Sequence, residues 1–420
     1  MNTTAAAPGK QEHSFSHPVV FLFLVLPFGI LSGYVTVAFA YLFSKAGISV
    51  EAVAALVGAS LLPHVIKFLW APLVDTTLSL IKWYWISAVV SAAGILLTGI
   101  LPIQESSLPM LTIIVVVANV AVSFLGIATN GLAAHDTPPE LKGRVGGYLQ
   151  AGNLGGSGLG GGAGLWLAQH LSMSWMASAI LAASCMLCCL GLFFVREPQA
   201  TVRGENVLHT VNNLVKDIWS TLKTRMGVLA LFLCFLPLGT GAAANLWSAV
   251  AGDWNASADT VAFVTGIMSG LITAAGSLLG GWMCDRMDRK IAYVLFGLMQ
   301  ALCAVGMAYS PHTEIMYITW TSLYSLTLGL SYAGFSAFVF EAIGKGAAAT
   351  KFTVYASLSN APIYYMTIIN GWAHTHYGPT GMLNTEAAFG VLGIILFFAL
   401  LTYVNRKKQP DDFVQTVSVK

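Results

Sequence analysis

The sequence predicts an all-α polytopic membrane protein, with twelve transmembrane helices arranged as two pseudo-symmetric six-helix bundles. Three observations predict it. Charge is scarce: 9% of the 420 residues are charged and 56% are hydrophobic, with a mean hydropathy of +0.73, whereas a soluble chain carries about 25% charge. Apolar runs near 20 residues recur, long enough to cross a hydrocarbon core about 30 Å thick. They are continuous where a barrel would alternate. Drawing twelve spans with both termini cytoplasmic puts 18 of the 20 Lys and Arg on the inner side, as positive-inside topology requires. Lys45 is the outer exception and Lys67 falls within a span. The net charge of +2 suggests no nucleic-acid partner.

The elements follow in order. Residues 1–17 form a polar cytoplasmic tail. The first span, 18–43, is too long for a signal-peptide core, so the cleavage-like Ala38-Phe39-Ala40 stays in a retained helix. Spans at 51–74, 83–102, 109–133, 145–170 and 174–195 complete an N-terminal bundle over 18–195. The only long polar interval, 196–226, links the bundles. In it Val207, Leu208, Val211, Leu214, Val215, Ile218, Trp219 and Leu222 recur at helical spacing, predicting an amphipathic helix on the membrane surface. Spans at 227–250, 260–283, 291–310, 314–340, 352–373 and 385–404 make the C-terminal bundle over 227–404, and 405–420 is a cytoplasmic tail.

The halves echo each other. Leu26-Pro27-Phe28-Gly29 matches Leu236-Pro237-Leu238-Gly239, and Asp75 matches Asp285, both at an offset of 210 residues. Internal repeats of this kind build many secondary transporters, with the substrate site at the repeat interface. Cys185, Cys188, Cys189, Cys234, Cys284 and Cys303 lie in or beside apolar segments and read as small packing residues. Metal or redox chemistry at Cys185-x-x-Cys188-Cys189 would need a His or carboxylate at ligand spacing, and none accompanies it.

Lys67 is the leading site residue. A cation at that depth costs about 2.5–3.5 kcal/mol on insertion scales, so it marks function by default. Three roles are open to it: binding an anionic part of a solute, serving as a fixed gating cation, or snorkelling to the inner interface after a helix ended early by Pro72. His64, three residues earlier, shares its face and is a candidate for carrying a proton or for packing. Polar groups within spans are candidate cavity residues: Tyr34, Asn119, Asn245, Trp247, Asn360, Tyr364, Tyr365 and Asn370, each also suited to bonding between helices. No Asp or Glu falls deep in any span, since Asp75, Asp136 and Glu341 sit at cytoplasmic ends.

Gly281-Trp-Met-Cys-Asp285-Arg286-Met-Asp288-Arg289-Lys290 resembles the loop signature of the major facilitator superfamily, with Asp288 for the usual second glycine. Lys67-Phe-Leu-Trp-Ala-Pro72-Leu-Val-Asp75 resembles a string of its AmpG-type permeases, within the peptide–acetyl-coenzyme A–drug transporter branch, though Thr76 stands where they usually have Arg. The exit of the fourth span, Asn130 to Asp136 and on to Arg144, is similar to the same branch with Asn130-Gly131 in place of a Gln-Asp pair. Gly152-x-x-x-Gly156-Ser157-x-x-Gly160-Gly161 resembles the fifth-span motif of superfamily exporters, and physically it predicts close helix approach.

The resemblance implies import of an anionic or zwitterionic solute of the muropeptide, siderophore or acyl-coenzyme A class across a bacterial inner membrane, often with protons. It implies a monomer with no cofactor or metal. Asp75, Asp136, Arg144, Asp285, Arg286, Arg289 and Glu341 would latch the cytoplasmic side in alternating access. Drug or metabolite efflux is one alternative; a non-transporting sensor or scaffold, which would call for a large soluble domain, is another. Motifs of membrane enzymes, such as G-x-S-x-G or a His-rich cluster, do not occur.

Overall fold

A computed structural model describes residues 16–137, 141–197, 225–343 and 348–406, together with 212, 216 and 219. The two tails and, apart from those three residues, the surface helix expected at 196–226 lie outside the described residues.

Helix α1, Val19–Lys45, carries Pro27 inside it and passes through a π segment at Tyr34–Phe39. Helix α2 begins at Val50 under a Ser49 cap, whose side chain accepts from the Ala52 N–H. It runs to Ile66, tightens to a 3₁₀ turn over Lys67–Leu69, and restarts as the short helix Ala71–Thr76 with Pro72 in its first turn. Proline costs nothing there because first-turn N–H groups have no partner in the helix. Helices α3, Leu80–Ile100, and α4, Leu108–His135, are uninterrupted. Helix α5 runs from Lys142 to His170 through a π segment at Leu159–Ala163, and α6 is Ser174–Cys188 with a 3₁₀ extension at Cys189–Phe194.

The second half departs from expectation at α7. Continuous helix was expected over 227–250; instead Arg225–Leu233 ends in turns, followed by 3₁₀ segments at Ala242–Leu246 and Ala251–Trp254. Gly239 and Gly241 stand at φ +63° and +69°, a region costly to residues with a Cβ. Helices α8, Ala258–Cys284, α9, Arg289–Ala308, and α10, Glu314–Ile343, follow. Helix α11 takes in Ala348–Leu358 and continues from Asn360; Gly378, at φ +70°, turns the chain into α12, which begins at Pro379 and ends at Arg406. Among the described residues, eight runs are individually long and apolar enough to span, and the run 353–403 contains two crossings. Helices α5, α7 and α10 are not among these runs: α5 is glycine-rich, α7 is broken, and α10 is rich in Ser, Thr and Tyr.

Packing repeats across the halves. Helix α2 lies on α4 as α8 lies on α10, and α3 lies on α4 and α6 as α9 lies on α10 and α12. The Tyr84 hydroxyl of α3 donates to the Leu24 carbonyl of α1 at 3.0 Å; that of Tyr293 in α9 donates to the Leu238 carbonyl of α7 at 2.7 Å. Helix α5 meets α1 backbone to backbone: a Cβ on Gly152, Gly156 or Gly160 would come within 2.3, 2.4 and 1.9 Å of the carbonyl oxygens of Leu22, Leu26 and Ile30. The motif that resembles an exporter's is here a packing seam.

The halves meet at the face opposite the termini. Gly162 of α5 and Gly266 of α8 approach so closely that a Cβ on Gly266 would stand 2.4 Å from the Gly162 Cα. Helix α11 packs on α2, where Gly371 faces Ala54, and the Glu51 N–H donates to Thr375 Oγ1 at 3.2 Å. Ser44 Oγ of α1 donates to the Ala249 carbonyl of α7 at 2.5 Å. The π segments of α1, α5 and α8 (the last at Ala262–Met268) all lie in this seal, and such bulges concentrate at functional positions.

Candidate functional site

On the termini-bearing side the halves part around a cavity of ≈400 Å³, within the usual range for small-molecule sites. Its walls come from both halves: Val25 and Phe28 of α1, Lys67 and Ala71 of α2, a stripe of α4, a stripe of α5, and Thr353 and Ala356 of α11. Lys67 sits half-buried on this wall, at the step where α2 changes from α to 3₁₀. Trp70 secures the step: its Nε1 donates to Ser123 Oγ at 3.0 Å, and its ring stacks on Phe124 with centroids 5.7 Å apart. Among the described residues Lys67 has no carboxylate partner within ion-pair distance. A solute anion would therefore meet a cation not already neutralised by those residues.

Five polar groups share the cavity with Lys67: Ser123 and Asn130 on α4, Gln150 and Asn153 on α5, and Thr353 on α11. None was singled out as a binding group from sequence. A signal existed: 119, 123, 126 and 130 fall on one face of α4 at helical spacing, as do 150 and 153 on α5.

His64 is buried one turn above Lys67, where its Nε2 meets Asn119 Oδ1 at 3.2 Å and its ring lies 5.1 Å from Phe28, a cavity residue. Asn119 is held in turn by the Val115 carbonyl at 2.9 Å. These two residues form the floor behind Lys67. Tyr34 is buried inside the first half, 4.6 Å from the Phe39 ring, and accepts from Thr98 Oγ1 at 3.5 Å. It does not reach the cavity. Asn245 donates to Thr367 Oγ1 at 3.1 Å, joining α7 to α11. Trp247 is buried edge-on to Tyr324, with centroids 5.1 Å apart. Asn360 bonds back to Ala356 and Ser357 of its own helix, and Tyr364 is half-buried on α11 beside Gly58 of α2. Tyr365 donates to the Phe235 carbonyl at 2.8 Å, at the break of α7.

Among the described side chains, no ion pair joins the expected latch residues Asp136, Arg144, Asp285 and Arg286. Asp136 is buried and accepts from Ser16 Oγ and from the Arg196 N–H, tying the chain's entry to the end of the first bundle. Asp285, Arg286 and Arg144 are exposed. Arg286 stacks 4.0 Å over Trp282 and donates to its carbonyl at 3.3 Å. Asp288 caps α9, accepting from the Lys290 N–H at 2.9 Å, which gives a reason for an acid where the loop signature has glycine. Arg289 opens α9 near Cys284. The side chains of Asp75 and Glu341 lie outside the described residues. All six cysteines are free and buried.

One expectation is overturned. A carboxylate does lie deep in a span: Glu386 of α12 is 7% exposed. The span begins at Pro379 and not near 385, because Gly378 makes the turn alone. Glu386 is seven residues in, roughly 10 Å at 1.5 Å per residue.

A profile of the Major Facilitator Superfamily matches residues 21–363. The anhydromuropeptide permease of Escherichia coli (strain K12) is 23% identical over 371 residues, covering 84% of this chain and 73% of that protein. An uncharacterized protein of Haemophilus influenzae is 27% identical over 367 residues, covering 77% and 80%. Among solved structures, a nucleoside transporter superposes with TM-score 0.71 at 15% identity over 92% of this chain and 98% of that one. A D-xylose–proton symporter does so with TM-score 0.69 at 14% identity over 90% and 95%.

Proposed function

The chain belongs to the major facilitator superfamily and is a multi-pass membrane transporter rather than an enzyme, and we propose that it carries a small anionic or zwitterionic solute of the muropeptide, siderophore or acyl-coenzyme A class into the cell, coupled to protons. The observation that carries this reading is Lys67 on the wall of the ≈400 Å³ cavity, with the hydroxyl and amides of Ser123, Asn130, Gln150 and Asn153 around it. One cation supplies attraction, and neutral donors and acceptors supply orientation. That set suits a carboxylate on a sugar or peptide frame, and a relative named for anhydromuropeptides agrees with it.

The basic loops support a cytoplasmic termini-bearing face, and on that orientation this conformation is open inward and sealed outward. The protein would work as a monomer in the inner membrane, with residues 18–195 and 227–404 rocking about the cavity. On the opposite stroke Asp75, Asp285 and Arg286, with Asp136, Arg144, Arg289 and Glu341 at neighbouring span ends, would close the cytoplasmic side. Among the described side chains no ion pair joins Asp136, Arg144, Asp285 and Arg286, which agrees with an unlatched gate. Asp285→Asn is expected to enrich the inward-open form, read as reduced labelling of cysteines introduced on the outer side; unchanged labelling argues against the latch.

The test of the site is binding to purified protein by thermal stabilisation, using muropeptides, ferric siderophores, acyl-coenzyme A compounds and cationic drugs. An anionic compound should stabilise the wild type, and Lys67→Ala should weaken it at least tenfold, since a hydrogen bond to a charged group is worth about 1.5–3 kcal/mol. A cationic compound bound equally by both proteins would overturn the anion-binding role.

A further inference from the structure

Glu386 is used by none of the roles above, and its surroundings are unlike those of any other carboxylate described. Its Oε1 accepts from the Tyr324 hydroxyl of α10 at 2.7 Å, and its Oε2 accepts from Asn370 Nδ2 of α11 at 2.7 Å. The Thr240 hydroxyl and the Ala243 backbone N–H, both from the break of α7, lie near enough to act on it electrostatically. Four helices of the second half therefore converge on one acid. Depth agrees from three of them: Tyr324, Asn370 and Glu386 each lie seven to ten residues from the outer end of their helix.

Among the described residues no Lys, Arg, His or second carboxylate pairs with Glu386. The titratable groups facing it are Tyr324, Tyr365 of α11 and, beside Tyr324, Cys303 of α9. Helices α7 and α12 present no charged group to it other than its own. A buried acid with no cation demands either full hydrogen bonding or a proton.

The network accommodates both. Asn370 is fully buried and its Oδ1 has no donor. With Glu386 ionised, Asn370 donates through Nδ2. Once a proton sits on Oε2, turning the amide over presents Oδ1 as the acceptor for the new O–H. Thr240 lines a second cavity of ≈40 Å³, walled by Gly239, Ser331 and, nearer the termini-bearing face, Ser359 and Pro362. That volume is large enough to admit a water molecule. Beside it Gln300 and Ser331 are buried with polar atoms that make no bond, and a Cβ on Gly239 would stand 2.9 Å from Ser331 Oγ.

We propose that Glu386 is a proton-binding site, in which one proton adds to one carboxylate oxygen, reached from the cytoplasmic side past Thr240. The break of α7 makes the site conformation-dependent. Thr240 and Ala243 belong to the segment that packs against α1 and α2 of the other half, so rocking the halves changes their electrostatic action on the carboxylate. Interrupted helices that place backbone groups at an ion site recur in transporters. This inference rests on the reading of the chain as an active transporter, but not on Lys67 or on the identity of the solute.

Infrared difference spectroscopy on the full chain in lipid vesicles, titrated with protons and no solute, tests binding directly. A carboxylic acid carbonyl band should appear as pH falls and vanish in Glu386→Gln. Tyr324→Phe, which keeps the acid and removes a donor, should shift its frequency and midpoint, and covers the case in which the first variant does not fold. A band unchanged in Glu386→Gln overturns the proposal, as does a band that responds to sodium and not to pH. In vesicles with an imposed pH gradient and anhydromuropeptide as probe, wild-type accumulation should exceed equilibration, and that of Glu386→Gln should not. If the probe is not transported at all, the solute assignment fails while the infrared result still decides the proton site.

Discussion

Leu26-Pro27-Phe28-Gly29 in α1 and Leu236-Pro237-Leu238-Gly239 in α7 place a proline and a glycine alike, yet α1 stays helical through Gly33 while α7 stops at Leu233. The next two residues differ: Ile30-Leu31 against Thr240-Gly241. Buried, branched side chains keep α1 in the helical well, and one interior proline is tolerated inside a bundle. In α7 Gly239 and Gly241 both leave that well. The intact α1 gives the cavity an apolar wall at Val25 and Phe28. The broken α7 releases Thr240 and the Ala243 N–H toward Glu386. The first half thus sets a cation on a cavity wall, and the second buries a lone acid among hydrogen-bond donors. At the 210-residue offset the partner of Lys67 is Ser277 and that of Glu386 is Met176, so neither charge is duplicated.

One glycine from each of the two compared segments separates two causes. Gly29→Ala should have the larger effect, because its Cβ would fall 2.1 Å from the Asn153 carbonyl oxygen and backbone cannot step aside. A loss of at least about 3 kcal/mol is expected, read as a lowered melting temperature in detergent. Gly241→Ala should cost less, about 2 kcal/mol: its positive φ carries a fixed penalty, but the nearest atom is the Leu328 Cδ1 of a flexible side chain, at 2.2 Å. Equal losses would mean that crowding and backbone conformation are not the distinct causes assigned here.

The smallest effect sharpens the contrast between two carboxylates of the second half. Glu314 lies at the outer end of α10 and accepts from the Ser257 N–H at 3.0 Å, from its hydroxyl at 2.8 Å, and from Thr260 Oγ1. These bonds, the Thr260 hydroxyl foremost, hold its carboxyl below the ordinary range. A depressed folded-state value contributes stability above the unfolded value that is lost as pH falls through the folded one. Melting temperature should therefore decline from about pH 4.5 downward, and Thr260→Val should flatten that decline. An unaltered profile in the variant would remove Thr260 as the cause.

Lys67 was legible because a lone cation in an apolar run has few explanations. The seam of α5 on α1 was legible because small residues at four-residue spacing align on one face. Glu386 was not. Residues 374–384 are polar enough to read as a loop, which puts the expected start of the last span at 385, one residue before Glu386. For Tyr34 the polarity is visible in the sequence, but which of its two roles holds depends on the direction of its side chain, and the structure turns it into the first bundle against Thr98.

By itself the sequence determined the membrane class, the order of the helices and the cation on the cavity wall, and its charges set the expected direction of insertion. These depend on transfer energies and helical periodicity, which act residue by residue. Tertiary structure alone decided that α7 breaks, that the halves seal at one face and part at the other, and that Glu386 meets Tyr324 and Asn370. Those features depend on which backbone groups lose their helical partners and which distant side chains answer them, and both are fixed only when the helices pack.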